Sequence, residues 1–283
     1  MHHPAVPAAP AVQALETGDL AVRPPHPALA DHLLCYAVRP LPLSGPRLRQ
    51  VTGPTAALLS IEVAPARGAP GAAVLVLLTA PGARALLGRP LGERPGDPGG
   101  PSGARTRELA ACLAAAPDWP TRFTLLDDRL ARWIAAGPPL PVPVHRAWRL
   151  IAASAGRAPI GTVATEVGWS RQHLNSRFRH ELGLSPKAAA RNARLHRAAA
   201  LLRRPDPPLG ATVAAACGYC DQSHLDRDFR DLAGCTPTAF AARRTVWDPI
   251  LTAPGPADRP SAPTRPSAAT RPTAPTRPTR PLP

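Results

Sequence analysis

The chain reads Ser-Arg-Gln-His-Leu-Asn-Ser-Arg-Phe-Arg from Ser170 to Arg179, and fifty-one residues later it reads Asp-Gln-Ser-His-Leu-Asp-Arg-Asp-Phe-Arg from Asp221 to Arg230. Each stretch opens with a residue type that caps helices and carries Phe-Arg four residues after its Leu. A glycine and an aromatic residue precede each one, beginning at Gly168 and at Gly218. Because glycine suits the positive φ of a tight turn between helices, the repeat predicts two helix-turn-helix units.

Helical spacing predicts which side of each unit faces inward. In the first unit the apolar positions are Ile160, Val163, Ala164 and Val167, followed by Leu174, Phe178 and Leu182. In the second unit they are Ala211, Val213, Ala214 and Cys217, followed by Leu225, Phe229 and Leu232. The second helices, predicted over residues 171–182 and 222–233, therefore present their other face to a partner or to water.

That outer face is polar in both units. It comprises Arg171, Gln172, Asn175, Ser176 and Arg179 in the first unit, and Gln222, Ser223, Asp226, Arg227 and Arg230 in the second. Amides and hydroxyls can pair with base edges, and guanidinium groups with guanine or phosphate. For a single helix, a solvated surface would explain such a face equally well. Two copies in the same phase favour double-stranded DNA as the partner.

A further helix is predicted between the units, over residues 186–203. At 1.5 Å per residue it spans roughly 27 Å, close to the ~34 Å between successive major-groove faces of B-DNA. One rigid helix could therefore hold two recognition helices in adjacent grooves. Its arginines Arg191 and Arg194 are predicted to contact DNA.

Residues 144–244 resemble the DNA-binding domain of the AraC/XylS family of bacterial transcription regulators. The resemblance rests on Ala-Thr-Glu-Val-Gly-Trp-Ser-Arg-Gln-His-Leu, Phe-Arg-His-Glu-Leu-Gly-Leu-Ser-Pro-Lys and Ala-Ala-Ala-Cys-Gly-Tyr-Cys-Asp-Gln-Ser-His-Leu, and on Arg-Asp-Phe-Arg-Asp-Leu-Ala-Gly-Cys-Thr-Pro. It implies sequence-specific DNA binding and allows for a small-molecule effector, RNA polymerase and a second copy of the chain as further partners. The base-contacting positions that it implies are Gln172, Asn175, Ser176, Gln222, Ser223, Asp226 and Arg227.

Asp226 departs from a DNA-reading pattern, because a carboxylate repels phosphate and can only accept a hydrogen bond. Asp228 and Asp231 add acidity in the same helix. We therefore expect the first unit to supply more of the sequence specificity than the second.

The first half of the chain predicts a small sheet followed by helices, so the fold class is α+β, with an all-α double helix-turn-helix domain at the C-terminal end. Ala72 to Thr79 indicates a buried strand, residues 92–103 a Gly/Pro-rich loop, and residues 106–116 and 122–136 helices. The segments 80–91 and 119–127 are similar to an actinobacterial subgroup of the same regulators, in which they belong to an effector-type domain.

Composition shifts divide the chain into five parts. They are a disordered lead (1–22), an effector or dimerisation domain (23–137), a Pro-rich linker (138–143), the double helix-turn-helix domain (144–247) and a disordered Thr-Arg-Pro tail (248–283). The net charge of +15 is distributed as +3 over 1–143, +8 over 144–248 and +4 over the rest. The excess thus coincides with the repeat, as DNA binding requires. The cationic tail could solubilise the chain or add non-specific DNA affinity.

Other functions find little support in the sequence. It has no Gly-rich phosphate loop, His-x-Glu motif or Gly-x-Ser-x-Gly elbow, so we predict no enzyme and no cofactor. It has no apolar run long enough for a membrane span and no secretory signal. Five cysteines without framework spacing favour reduced thiols and a cytoplasmic location. Cys217, Cys220, His224 and Cys235 suggest a zinc site, since the first two have the C-x2-C spacing of half a site, but buried or turn cysteines explain the set better. The main rival is a non-specific architectural DNA-binding protein.

Overall fold

The computed structural model of the protein describes residues 21–40, 57–63, 71–88, 90 and 101–242. The predicted tail (248–283) and all but the last two residues of the predicted lead (1–22) lie outside these ranges. Within the described part, no helix combines the length and the hydropathy that crossing a membrane would need.

The first half contains one antiparallel sheet with strand order β1-β2-β4-β3. Its strands are β1 (Ala21–Arg23), β2 (Leu33–Pro40), β3 (Ala57–Val63) and β4 (Ala72–Leu78). A short 3-10 helix, Pro27–Leu29, joins β1 to β2. β4 pairs with β2 on one side and β3 on the other, so the central strand is the one predicted as buried. Its side chains are buried on both faces of the sheet, which explains its unbroken apolar run.

Two helices, α2 (Pro101–Ala115) and α3 (Trp119–Ala136), cover one face of this sheet. Leu109, Leu113, Phe123, Leu126 and Leu130 of these helices pack against its side chains. The hydroxyl of Tyr36 in β2 donates a 2.7 Å hydrogen bond to Asp127 of α3. Burial is the main reason that the pKa of Tyr36 is raised. The predicted sheet-then-helices arrangement is confirmed.

Several predicted boundaries are wrong for one reason: proline begins helices in this chain. α2 starts at Pro101, inside the predicted loop 92–103, and α3 starts at Trp119, with Pro120 in its first turn. The linker predicted over 138–143 also ends early, because α4 begins at Val142 with Pro143 in its first turn. The first-turn N–H groups have no partner within a helix, so proline costs nothing there.

A helix that the sequence reading did not predict, α1 (Ala80–Leu87), follows β4 directly. Thr79 caps it by accepting from the Gly82 N–H at 3.1 Å, and Gly88 ends it at a φ of 69°. The hydroxyl of Thr79 donates to the Asp31 carbonyl at 2.7 Å. Capping threonine, early proline and terminal glycine were signals available in the sequence.

The described residues of the second half form helices joined by short loops. Its elements are α4 (Val142–Ala153), α5 (Ile160–Glu166), α6 (Arg171–Leu182), α7 (Pro186–Leu202), α8 (Gly210–Cys217), α9 (Gln222–Ala233) and α10 (Pro237–Ala242). The bounds of α6 and α9 agree with the predicted ranges 171–182 and 222–233. Two apolar clusters form, one inside each repeated unit, and α7 contributes to both.

Candidate nucleic-acid interface

The two predicted turns have matching geometry. Gly168 and Gly218 adopt φ angles of 75° and 76°, in the left-handed region that favours glycine. The Ser170 side chain then accepts from the His173 N–H at 3.1 Å, and the Asp221 side chain from the His224 N–H at 2.7 Å. Each second helix thus starts at a fixed point and in a fixed direction.

An aromatic ring braces the start of each second helix. Trp169 meets the His173 ring edge-on, with centroids 4.5 Å apart and planes at 89°. Tyr219 meets His224 in the same way at 5.1 Å and 85°. These aromatic contacts repeat the same design in both units, and they limit how α6 and α9 can tilt relative to their turns.

The outer face of α6 is open to a partner. Leu174, Phe178 and Leu182 are completely buried in the first cluster. The predicted DNA-facing residues are all exposed: Arg171, Gln172, Asn175, Ser176 and Arg179. The helix therefore separates an inner side formed mainly by these apolar residues from a polar, uncharged-to-basic outer side.

The outer face of α9 is similar with one exception. Gln222, Ser223, Arg227 and Arg230 are exposed, whereas Asp226 is half-buried. On the inner side Leu225 and Phe229 are completely buried, and Leu232 is half-buried. In α8 the inward assignment of Ala211 is wrong, because Ala211 is exposed at the first turn while Val213, Ala214 and Cys217 form the buried side.

Comparison with known proteins agrees with this geometry. Residues 144–243 match a family model described as a helix-turn-helix domain. Residues 144–243 form an AraC-type helix-turn-helix domain. A domain of this type supports a role in DNA binding and transcription regulation.

One solved structure similar to part of this chain is the C-terminal domain of AraT, a response regulator from Geobacillus stearothermophilus. The two are 25% identical over 38% of this chain and 90% of that chain, with a TM-score of 0.35. No curated protein matches the chain.

Two predicted DNA contacts of the AraC-type domain turn out to be engaged inside it. Arg191 of α7 donates through Nε to Asp228 at 2.6 Å and through Nη2 to Asp231. Arg194 donates to the Gly156 carbonyl at 2.8 Å and lies 5.4 Å from the centroid of the Tyr219 ring. Arg191 thus joins α7 to α9, and Arg194 joins α7 to both units. The contact of these two arginines with DNA stays a prediction.

The same contacts correct the account of the acidic residues in α9. Asp228 is 3% exposed and faces α7, so the expectation that it adds acidity on the DNA side is wrong. Asp231 is exposed, but it shares the Arg191 guanidinium. The charge partners also raise the pKa of Arg191, against the opposing effect of burial. Asp226 remains the acidic residue of α9 for which no such arginine partner was found among the described residues.

The cysteines of the AraC-type domain are thiols. Cys217 is completely buried in the second cluster, and burial raises the pKa of its thiol to about 11. Cys220 is exposed in the turn before α9. Within the described ranges, no group of three or more His, Cys, Asp or Glu side chains is placed to hold a metal ion.

One exposed cation near the second turn was not singled out from the sequence. Arg157 follows α4, and a side chain at Gly218 would bring its Cβ within 2.9 Å of the Arg157 Cγ. Arg157 thus lies directly against the turn that leads into α9. Its position depends on the approach of the two units, so local sequence carries no signal for it.

Proposed function

We propose that the protein recognises a bipartite DNA sequence, with α6 reading one half-site and α9 reading the other in an adjacent stretch of major groove. The observation that carries this proposal is the repeated geometry of turn, cap and exposed polar face. Both faces belong to one domain in which α7 joins the units. At about 1.5 Å per residue, its length is close to the spacing of successive major-groove faces.

The base-reading side chains in this proposal are the exposed amides and hydroxyls. They are Gln172, Asn175 and Ser176 on α6, and Gln222 and Ser223 on α9. Asn and Gln can bond adenine through two atoms at once, whereas Ser pairs with several bases. Arg171, Arg179, Arg227 and Arg230 are exposed around these groups and supply cations for phosphate or guanine.

The two half-sites should contribute unequally to specificity. The α6 face contains no carboxylate, and the α9 face retains Asp226. A carboxylate there weakens binding near phosphate and can accept only from a donor such as the cytosine amino group. Arg191 pairs with both Asp228 and Asp231, whereas Asp226 has no such arginine partner among the described residues. Asp226 therefore accounts for this difference between the faces.

Residues 23–137 are proposed as an effector or dimerisation domain. Support comes from the sheet and its two covering helices. Their apolar side chains form a cluster separate from those of the AraC-type domain. Thermal-shift screening of the full chain against metabolites would test this part. A metabolite that raises the melting temperature and changes DNA affinity is the expected result. A stabilising metabolite without any effect on DNA affinity would contradict effector control.

Selection from randomised duplex DNA by the purified full chain, at physiological salt, tests sequence recognition. The expected result is a bipartite site with one strongly and one weakly specified half. A symmetric repeat of that site would indicate a dimer. A non-specific architectural protein would instead bind scrambled DNA with equal affinity, and its binding constant would follow the salt concentration alone. Equal affinity for selected and scrambled DNA would therefore overturn the proposal.

A further inference from the structure

The first recognition helix carries a buried carboxylate near its C-terminal end. Glu181 is 3% exposed. Its Oε1 accepts from Arg177 Nη2 of the same helix at 2.8 Å, and His180 Nδ1 lies 3.3 Å from the same oxygen. A carboxylate removed from water is strongly destabilising unless cations and hydrogen bonds compensate it.

The remaining oxygen of Glu181 faces a cation from the first half of the chain. Arg84 Nη2 of α1 lies 2.8 Å from Oε2 in an ion pair, and the Arg84 side chain is only 20% exposed. Arg177 and His180 are more exposed, at 41% and 72%. The most shielded cation at Glu181 therefore comes from almost a hundred residues earlier in the sequence.

The backbone of α1 lies very close to its neighbours at this place. A side chain at Gly82 would put its Cβ 1.9 Å from the His32 carbonyl oxygen, and one at Gly137 would lie 2.2 Å from the Ala85 carbonyl oxygen. Ala80, the first residue of α1, is completely buried in the apolar cluster of the first unit, which also contains Phe178. α1 is thus packed against the sheet side and against α6 at once.

The second recognition helix is anchored differently. Its buried carboxylate, Asp228, is paired with Arg191 of α7, inside the AraC-type domain. The buried carboxylates of α6 and α9 are therefore paired with different arginines. The Arg84–Glu181 pair joins the two halves of the chain, whereas the Arg191–Asp228 pair lies within the second half.

We propose that Arg84 is a positioning residue for α6, so that the first half of the chain sets the reading of one half-site and leaves the other unaffected. This inference rests on the proposed bipartite recognition. Without Arg84, Glu181 keeps only its more exposed partners, and the C-terminal end of α6 can shift relative to α1. Arg191 plays the corresponding part for α9.

The test uses the full chain and the DNA site selected by the wild type, with each half-site scrambled in turn. Arg84→Met keeps the aliphatic stem of the side chain and removes its charge. In the wild type, scrambling the α6 half-site lowers the affinity for DNA. We expect this loss to be roughly five- to tenfold smaller in Arg84→Met, which is the size of coupling between contacting residues. The loss on scrambling the α9 half-site should stay unchanged. Asn175→Ala identifies which half-site belongs to α6.

Two matched variants complete the design. Arg191→Met should reverse the pattern by reducing only the α9 half-site effect. Arg129 of α3 is paired with the exposed Glu108 of α2. Arg129→Met should leave the affinity lost on scrambling either half-site at its wild-type value. In a Glu181→Gln background, Arg84→Met should have no further effect, because the charge that needs compensation is gone.

Each outcome decides the inference. Equal effects of Arg84→Met on both half-sites, no effect on either, or an undiminished effect in the Glu181→Gln background would overturn the positioning role while leaving bipartite recognition standing. A wild type without any preferred site would overturn both. If Arg84→Met lowers the melting temperature, Glu181→Gln alone supplies the same comparison with the wild type, because it removes the Arg84–Glu181 ion pair without leaving a buried charge.

Discussion

At the scale of single residues, Asn175 has the clearest chemistry for reading a base. It is exposed in the middle of the outer face of α6, directly after the completely buried Leu174. Its side-chain amide offers a donor and an acceptor together, which matches the edge of adenine in the major groove.

Asn175→Ala should therefore relax specificity at one base position, at a cost of ~1–3 kcal/mol for the preferred base. Binding to a panel of duplexes with single substitutions measures this change. Arg179→Ala is the matched contrast, because a phosphate contact weakens all sequences alike and reduces the salt dependence. A uniform loss in the Asn175→Ala variant would contradict base reading by this side chain.

Cys217 and Cys220, three residues apart, should differ sharply in reactivity. Only a thiolate is alkylated, and burial both raises the pKa of Cys217 to about 11 and excludes reagent. Cys220 is exposed. Iodoacetamide should modify Cys220 in the native protein and Cys217 only after unfolding, as peptide mass spectrometry would record. A Cys220→Ser variant provides the blank, and alkylation of Cys217 in the folded state would contradict the packing of α8.

At the scale of elements, the caps decide where α6 and α9 begin. Ser170 satisfies a first-turn N–H of α6, and Asp221 does the same for α9. Both helices end at a glycine of positive φ, Gly183 and Gly234. Start and end are thus set by short-range contacts that do not depend on the rest of the fold.

Ser170→Ala should lower the free energy of unfolding by ~1 kcal/mol, because an N–H at the start of α6 loses its acceptor. Urea denaturation measures the change. Ser176→Ala makes the same chemical change on the exposed side of the same helix, and it should stay within about 0.5 kcal/mol of the wild type. Equal losses in the two variants would show that the Ser170 hydroxyl does not act as a cap.

At the scale of the whole molecule, a second contact joins the two halves beside α4. The carboxylate of Asp31 lies 3.2 Å from His145 Nε2 and 3.7 Å from Arg149 Nε. The hydrogen bond to His145 is the main reason that the pKa of Asp31 is lowered. Next to it, burial holds the pKa of His32 below its ordinary value, with His145 adding to this effect and Asp31 opposing it.

The contact between Asp31, His32 and His145 predicts how the free energy of unfolding depends on pH. Because the pKa of His32 is lower in the folded chain, the unfolded chain takes up a proton first as the pH falls. The contribution of His32 to stability is complete above its unfolded pKa of about 6.5, and it is lost as the pH falls through its folded pKa. The contribution of Asp31 is lost only at lower pH, below its unfolded value of about 3.9.

Denaturation of the wild type between pH 7.5 and pH 5 should accordingly show a decreasing free energy of unfolding. His32→Gln removes the imidazole, so the decrease should become smaller over the same range. An identical pH dependence in the two proteins would exclude His32 as its source.

Much of the architecture could be predicted from the sequence because it depends on local patterns. The turn glycines, the caps and the four-residue spacing of Leu174 and Phe178 predicted α6 and α9 with correct bounds, and an unbroken apolar run predicted β4. The predicted starts of α2, α3 and α4 were wrong because proline, which breaks the interior of a helix, also fits its first turn. α1 was missed although its capping signals were present.

By itself, the sequence determined the repeat, the helices that bear it and the polar faces that they expose, because periodicity and capping act over a few residues. Only the tertiary structure decided what the charged residues do. Arg191 and Asp228 are 37 residues apart, and Arg84 and Glu181 meet only because α1 packs against α6. Such pairs depend on how distant elements pack, and periodicity carries no record of that packing. For this reason the sequence predicted contact with DNA for Arg191 and Arg194 in the same way as for the exposed residues, whereas the structure shows these two arginines half-buried and engaged within the fold.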